Sequence, residues 1–183
     1  MLMDRSRCCL LLVDVQEKLL GHIKGSEQLE NRCEWLMKAA RDLNVPVLVS
    51  EQYPQGLGPT TKKLLACLED PVKLTKVNFS CAREEALQYF MQHHQCEQVI
   101  LIGIETHVCV LQSALELLAD GYHVYIVVDA VGSRSEIDKQ FALQRMQQAG
   151  AQLVTAEMVV FEWLKRSGTP EFKHISKTYL QNQ

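Results

Sequence analysis

Short β-branched apolar runs and longer stretches of helical period alternate along this chain from end to end. Six runs read as strands: Cys8–Val13, Val45–Ser50, Val72–Lys76, Gln98–Ile104, His123–Val128 and Gln152–Val154. Val99-Ile100-Leu101-Ile102 and Val124-Tyr125-Ile126-Val127-Val128 are apolar without a break, the signature of parallel strands covered on both faces. Between the strands the period changes. Leu29, Cys33, Leu36, Met37 and Ala40 recur at helical spacing behind Ser26, a candidate N-cap. Glu84–His94 and Ser135–Ala149 read as helices too, the second stopped by Gly150. Thr106–Ala119 is mostly apolar along its length, which predicts a buried helix ending at Asp120-Gly121. Met158–Leu164 predicts a last large helix, with a further turn or two beyond Gly168-Thr169-Pro170.

This alternation predicts an α/β fold, a three-layer α/β/α Rossmann-like domain around a mostly parallel sheet of about six strands with right-handed crossovers. No linker, charge block or internal repeat interrupts it, so residues 1–183 are expected to form one domain. The long irregular piece is Glu51–Thr60 (EQYPQGLGPT), with two prolines and two glycines. It follows a strand's carboxyl end, the edge at which open α/β sheets bind ligands.

Composition narrows the function classes. Apolar residues make up 47 % and charged residues 22 %, ordinary for a globular chain. A net charge of −3 gives no footprint for nucleic acid or an anionic membrane. Cations are dispersed, with Lys62-Lys63 and Lys73/Lys76 the nearest to clusters, and most read as solvated surface. The first apolar run, broken by Asp14, is too short for a signal segment, and nothing approaches the ~20 apolar residues of a membrane span. Seven cysteines, without CxxC or a Cys/His zinc spacing, argue against a disulfide framework and a structural metal. Reduced thiols in a cytoplasmic protein are expected.

Three residues could carry chemistry. Cys109 lies three residues after Thr106, a candidate N-cap, and so in a first helical turn whose N–H groups lack intrahelical partners. A helix start stabilises a thiolate, and its free N–H groups an oxyanion. Asp14 ends the first strand, where a carboxylate after a buried run can act as general base for the thiol. In the third strand, alternation puts Val72, Leu74 and Lys76 on one face and Lys73 and Thr75 on the other. Lys76, rather than Lys73, therefore rises from the buried face, where it can orient the aspartate and lower the thiol pKa. Each has a plainer reading: a small core thiol, a capping carboxylate and a snorkelling lysine.

Taken together, Asp14-Val15-Gln16, Lys76–Ser80 (Lys-x-x-Phe-Ser), Gly103–Val110 (GIETHVCV) and Val128-Asp129-Ala130 with Ser133 resemble the isochorismatase-like cysteine hydrolases. Glu51–Thr60 is most similar to the isochorismatase domain-containing subgroup, whose substrate is poorly defined. The resemblance implies Asp14 as the acid, Lys76 as the lysine and Cys109 as the nucleophile. It further implies a cis peptide at Ile104–Glu105, with the N–H groups of Glu105 and Cys109 turned toward the oxyanion. Gln16, Gln52, Tyr53, Phe79, Glu105 and His107 become candidate pocket residues, and Asp129 a structural cap. Nicotinamidase-type members bind a metal through Asp-x-His after the second strand. Here that stretch reads Ser50-Glu51-Gln52-Tyr53-Pro54, so no metal and no other cofactor is expected.

The implied activity is hydrolysis of a small amide or carbamoyl compound through a Cys109 thioester, ahead of vinyl-ether cleavage, which needs no thiol. A non-catalytic oligomeric module and a redox-responsive thiol protein, with Cys81 approaching Cys109 in space, are the competing readings. A homo-oligomer is implied by the family, with Glu84–His94 and Met158–Leu164 as candidate interface helices. The expected partner is a small-molecule substrate, with no nucleic acid and no membrane.

Overall fold

The computed structural model describes residues 1–180, so the last three positions of the expected 1–183 domain lie outside the described residues. In chain order the main elements are β1 (Cys8–Val13), α1 (Glu17–Leu20), α2 (Ser26–Asp42), β2 (Val47–Gln52), α3 (Pro54–Leu57), α4 (Lys62–Leu65), β3 (Val72–Lys76) and α5 (Glu85–His93). Then follow β4 (Gln98–Ile104), α6 (Leu111–Ala119), β5 (His123–Gly132), α7 (Glu136–Gln148), β6 (Gln152–Val154), α8 (Ala156–Leu164) and α9 (Pro170–Ile175). The strands form one six-stranded sheet in the order β3-β2-β1-β4-β5-β6, every neighbouring pair parallel.

Two apolar layers cover it. Leu10 and Leu12 point to the face that packs against α2, α8 and α9, while Cys9, Leu11 and Val13 point to the face under α5, α6 and α7. Burial on both faces is why β1 and β4 carry no alternation of polar residues. The chain winds outward through β2 and β3, then returns to lay β4 beside β1. That reversal opens a crevice above the carboxyl ends of β1 and β4. The two strands close tightly there: Gly103 has φ +111°, and a Cβ on it would stand 2.1 Å from the Val13 carbonyl oxygen. Only glycine fits.

Several boundaries differ from the sequence expectation. β2 starts at Val47 rather than Val45, because Pro46 has no N–H for the ladder and contributes only its carbonyl, to Leu10 N–H. The same strand runs on to Gln52 by pairing Glu51 and Gln52 with Thr75 and Lys76. The irregular segment expected over Glu51–Thr60 is thereby shortened, and α3 turns within it. β5 continues past Val128 to Gly132, across an irregularity opposite Leu101–Gly103. Ser26 is the first helical residue of α2, not its cap: Gly25 holds that position in the left-handed conformation that suits glycine.

Candidate active site

Asp14 follows β1 with φ +50°, a conformation uncommon outside glycine and frequent where a site imposes it. Its side chain is 1 % exposed. Oδ1 accepts a 2.6 Å hydrogen bond from Ser50 Oγ of β2, and Oδ2 accepts one of 2.7 Å from Lys76 Nζ of β3. A carboxylate in that position needs such donors, since burial of an unpaired charge is costly.

Lys76 emerges from the buried face of β3 beside Leu74, with Lys73 and Thr75 exposed, as alternation requires. Val72, on the same face, is 50 % exposed because it sits at the start of the edge strand. The ammonium of Lys76 is fully enclosed and also donates to Gln52 Oε1 at 2.6 Å, Phe79 O at 3.1 Å and Asn78 O at 3.3 Å. Burial pulls its pKa down, but the Asp14 charge and the neighbouring Cys81 and Cys109 thiols more than offset this and raise it above the ordinary lysine value.

Cys109 sits in the wide turn Thr106–Val110 that leads from β4 into α6. Glu105, not Thr106, takes the cap position, and its carbonyl receives both Val108 N–H and Val110 N–H, at 3.1 and 3.2 Å. The expected single helix over Thr106–Ala119 therefore opens with a π-type turn, and the buried Thr106 hydroxyl has no partner among the described residues. The Ile104–Glu105 peptide is cis, as the resemblance implies. Cys109 is 7 % exposed, and its thiol lies within the electrostatic reach of the Asp14 carboxylate. Burial and the Asp14 charge push its pKa far above the ordinary thiol value, against the pull of Lys76. That reverses the expectation of a thiolate at a helix start. A full negative charge in contact, with little water near, outweighs the partial charge of one helical turn. The resting group is a neutral thiol.

The remaining candidates divide. Gln52 belongs to the cluster through Lys76, and its Nε2 donates to Val77 O at 2.9 Å. Gln16 is fully buried and its amide is committed to backbone: Oε1 to Gln52 N at 2.7 Å, Nε2 to Gln52 O at 3.0 Å and Gly58 O at 2.6 Å. It straps the ends of β1 and β2 to the loop. Tyr53 and Phe79 are about half exposed. His107 turns the other way, its Nδ1 within 3.0 Å of Ser133 Oγ, and Glu105 is paired with Arg134 at 2.8 Å. Beside that pair lies a cavity of about 260 Å³, lined by Leu19, His22, Ile23, Glu105 and Arg134. Asp129 serves structure, accepting Ala156 N–H at the start of α8 and pairing with Arg32 of α2.

Sequence reasoning passed over Ser50 and Arg134. Ser50 was detectable as the polar end of the run Val47-Leu48-Val49-Ser50. Cys81 is buried on the same side of the sheet, with its N–H bonded to Ser113 Oγ at 2.8 Å, one turn beyond Cys109. Burial and the Asp14 charge push the Cys81 thiol up to about 11. The end of β2 does not fit a divalent metal. Gln52 already accepts from an ammonium, and Glu51 accepts Thr60 N–H and lies near Lys73. Among the described residues no cluster of three or more His, Cys, Asp and Glu could hold one.

An all-parallel three-layer sheet thus gathers a thiol, a carboxylate and an ammonium at its carboxyl edge. The family model for the isochorismatase domain matches residues 8–158, and the chain belongs to that family of hydrolases. Isochorismatase domain-containing protein 2 of Macaca fascicularis is 43 % identical over 169 residues, covering 92 % of this chain and 80 % of that protein. Among solved structures, the MAR1 ribonuclease of Caenorhabditis elegans superposes with TM-score 0.92 at 38 % identity, covering 100 % of this chain and 94 % of the other. The Escherichia coli YcaC product, an octameric hydrolase of unknown specificity, gives TM-score 0.90 at 27 % identity, covering 98 % and 91 %.

Proposed function

We propose that this chain is a metal-independent cysteine hydrolase that cleaves a small amide or carbamoyl compound through a thioester on Cys109. The observation that carries the reading is the buried pair of Asp14 carboxylate and Lys76 ammonium, with the Cys109 thiol within its electrostatic reach. Asp14 takes the thiol proton as the sulfur attacks the carbonyl carbon, and Lys76 balances the charge that moves. The oxyanion forms near the N–H groups of Glu105 and Cys109. Asp14 then returns the proton to the departing amine, leaving the thioester. Water attacks the thioester, Asp14 accepts a proton from it, and the acid leaves as the thiol is restored.

Gln52, Tyr53 and Phe79 line the approach in this reading, while Gln16 positions the loop that carries Tyr53. Nucleic acid is a poor partner for a chain of net charge −3, so the ribonuclease activity named for the nematode protein is not carried over. Seven unpaired cysteines support a reducing, cytoplasmic location, and no described helix is long and apolar enough to cross a membrane. Self-association belongs to the same reading, by analogy with octameric YcaC.

The test is turnover of a panel of small amides and carbamoyl compounds by native protein and Cys109→Ala. Loss of all activity in the variant, with an acyl mass on the Cys109 peptide of the native enzyme, is expected. Equal turnover by both would sink the mechanism.

A further inference from the structure

Ser50 is fully buried at a point in β2 where Val13 of β1 and Leu74 of β3 are its register partners. It holds Asp14 twice. Its carbonyl accepts Asp14 N–H at 3.2 Å, and its hydroxyl donates to Asp14 Oδ1 at 2.6 Å. An O–H···O⁻ contact of that length is in the strong, charge-assisted range. Asp14 has a left-handed backbone, so its direction is not fixed by the strand alone. Lys76 secures only the other oxygen. Without the Ser50 hydroxyl, the carboxylate could turn about its own axis and lose its aim at the Cys109 sulfur.

We infer that Ser50 is a positioning residue for the reaction: it orients the Asp14 carboxylate toward Cys109 for proton transfer. The inference rests on Asp14 serving as base to Cys109. Three other groups also bear on this carboxylate: Lys76 from β3, Cys109 from the turn after β4, and Cys81 from the turn after β3. Ser50 is the neutral member of the set.

The experiment needs no substrate. Native protein, Ser50→Ala and Ser50→Thr are alkylated with iodoacetamide over a range of pH, and the modification rate of the Cys109 peptide is followed by mass spectrometry. Native Cys109 is expected to lose reactivity steadily as pH falls, since only the thiolate is alkylated. In Ser50→Ala that limb moves down by about one pH unit, because a carboxylate turned away from the sulfur no longer opposes the thiolate. Threonine keeps the hydroxyl, so Ser50→Thr returns the native profile.

A profile for Ser50→Ala that superposes on the native one overturns the inference. So does a uniform loss of reactivity with no shift of the limb, or a shift that threonine fails to reverse, since either marks a merely structural role. Should Ser50→Ala not fold, Ser50→Cys carries the same expectation, being near in volume and a feebler donor. No labelling of native Cys109 would overturn the parent reading and this one with it. Labelling of native Cys109 without a Ser50 effect overturns only this one.

Discussion

At the residue scale the site is an ion pair taken out of water. Asp14 and Lys76 are each held almost wholly inside the protein, with the ammonium 2.7 Å from the carboxylate. Truncating either one leaves the other charge buried and unpaired, so Asp14→Ala and Lys76→Ala should each lower stability by about 3–5 kcal/mol. The double variant should lose less than the sum of the two, with a coupling of about 1–3 kcal/mol. Urea unfolding midpoints of the four proteins measure this, and additive losses would show that the pair is not coupled. Lys76 could be chosen over Lys73 from strand alternation alone, because alternation is a local property of the backbone. The state of Cys109 could not. Its thiol is held neutral by burial and by a carboxylate that lies 95 residues away in sequence, neither of which a local motif reports.

At the element scale, strand bounds were legible at both edges of the sheet and at its centre. β1, β3, β4 and β6 fall at the bounds their apolar runs predict. β2 and β5 did not, since the length of a strand depends on what its neighbour offers. Glu51 and Gln52 are extended because β3 pairs with them, and the end of β5 is extended because β4 does. Helix faces carry a separate message. On α8, Val159, Val160 and Trp163 face the core, while Met158 and Phe161 remain 46 % exposed. On α5, Tyr89 is exposed beside the buried Leu87, Phe90 and Met91. Apolar side chains left outward on two helices suit the proposed self-association. Light scattering of the eluted protein should give a multiple of 20.8 kDa, and Met158→Ser with Phe161→Ser should reduce that multiple. A native mass equal to one chain would rule assembly out.

At the scale of the whole molecule, the buried thiols set a common response to alkali. Burial raises Cys8 to about 12 and, with the Asp14 charge, Cys81 to about 11. Cys33 and Cys109 are pushed higher, chiefly by burial. Folded protein thus keeps these protons at a pH where unfolded chain, with thiols near ~8.5, has released them. Their contribution to stability is fully present below that value and is lost as pH rises through the folded pKa of each thiol. Lys76, raised above its ordinary value, acts in the same direction. Stability from urea unfolding should be insensitive to these groups at neutral pH and fall steadily above about pH 9. Cys81→Ser should make the fall shallower. An identical slope in that variant would remove Cys81 from the account.

Periodicity, apolar runs and turn residues determined the class of fold, because each is a local preference repeated along the chain. Motif order determined the three residues proposed for chemistry. Tertiary structure alone decided that Asp14 and Lys76, 62 residues apart, become one buried pair, and that Ser50 supplies the second hydrogen bond to the carboxylate. Pairing across the sheet brings the ends of β1, β2 and β3 together, and proximity of that kind has no trace in the spacing of residues along a single chain.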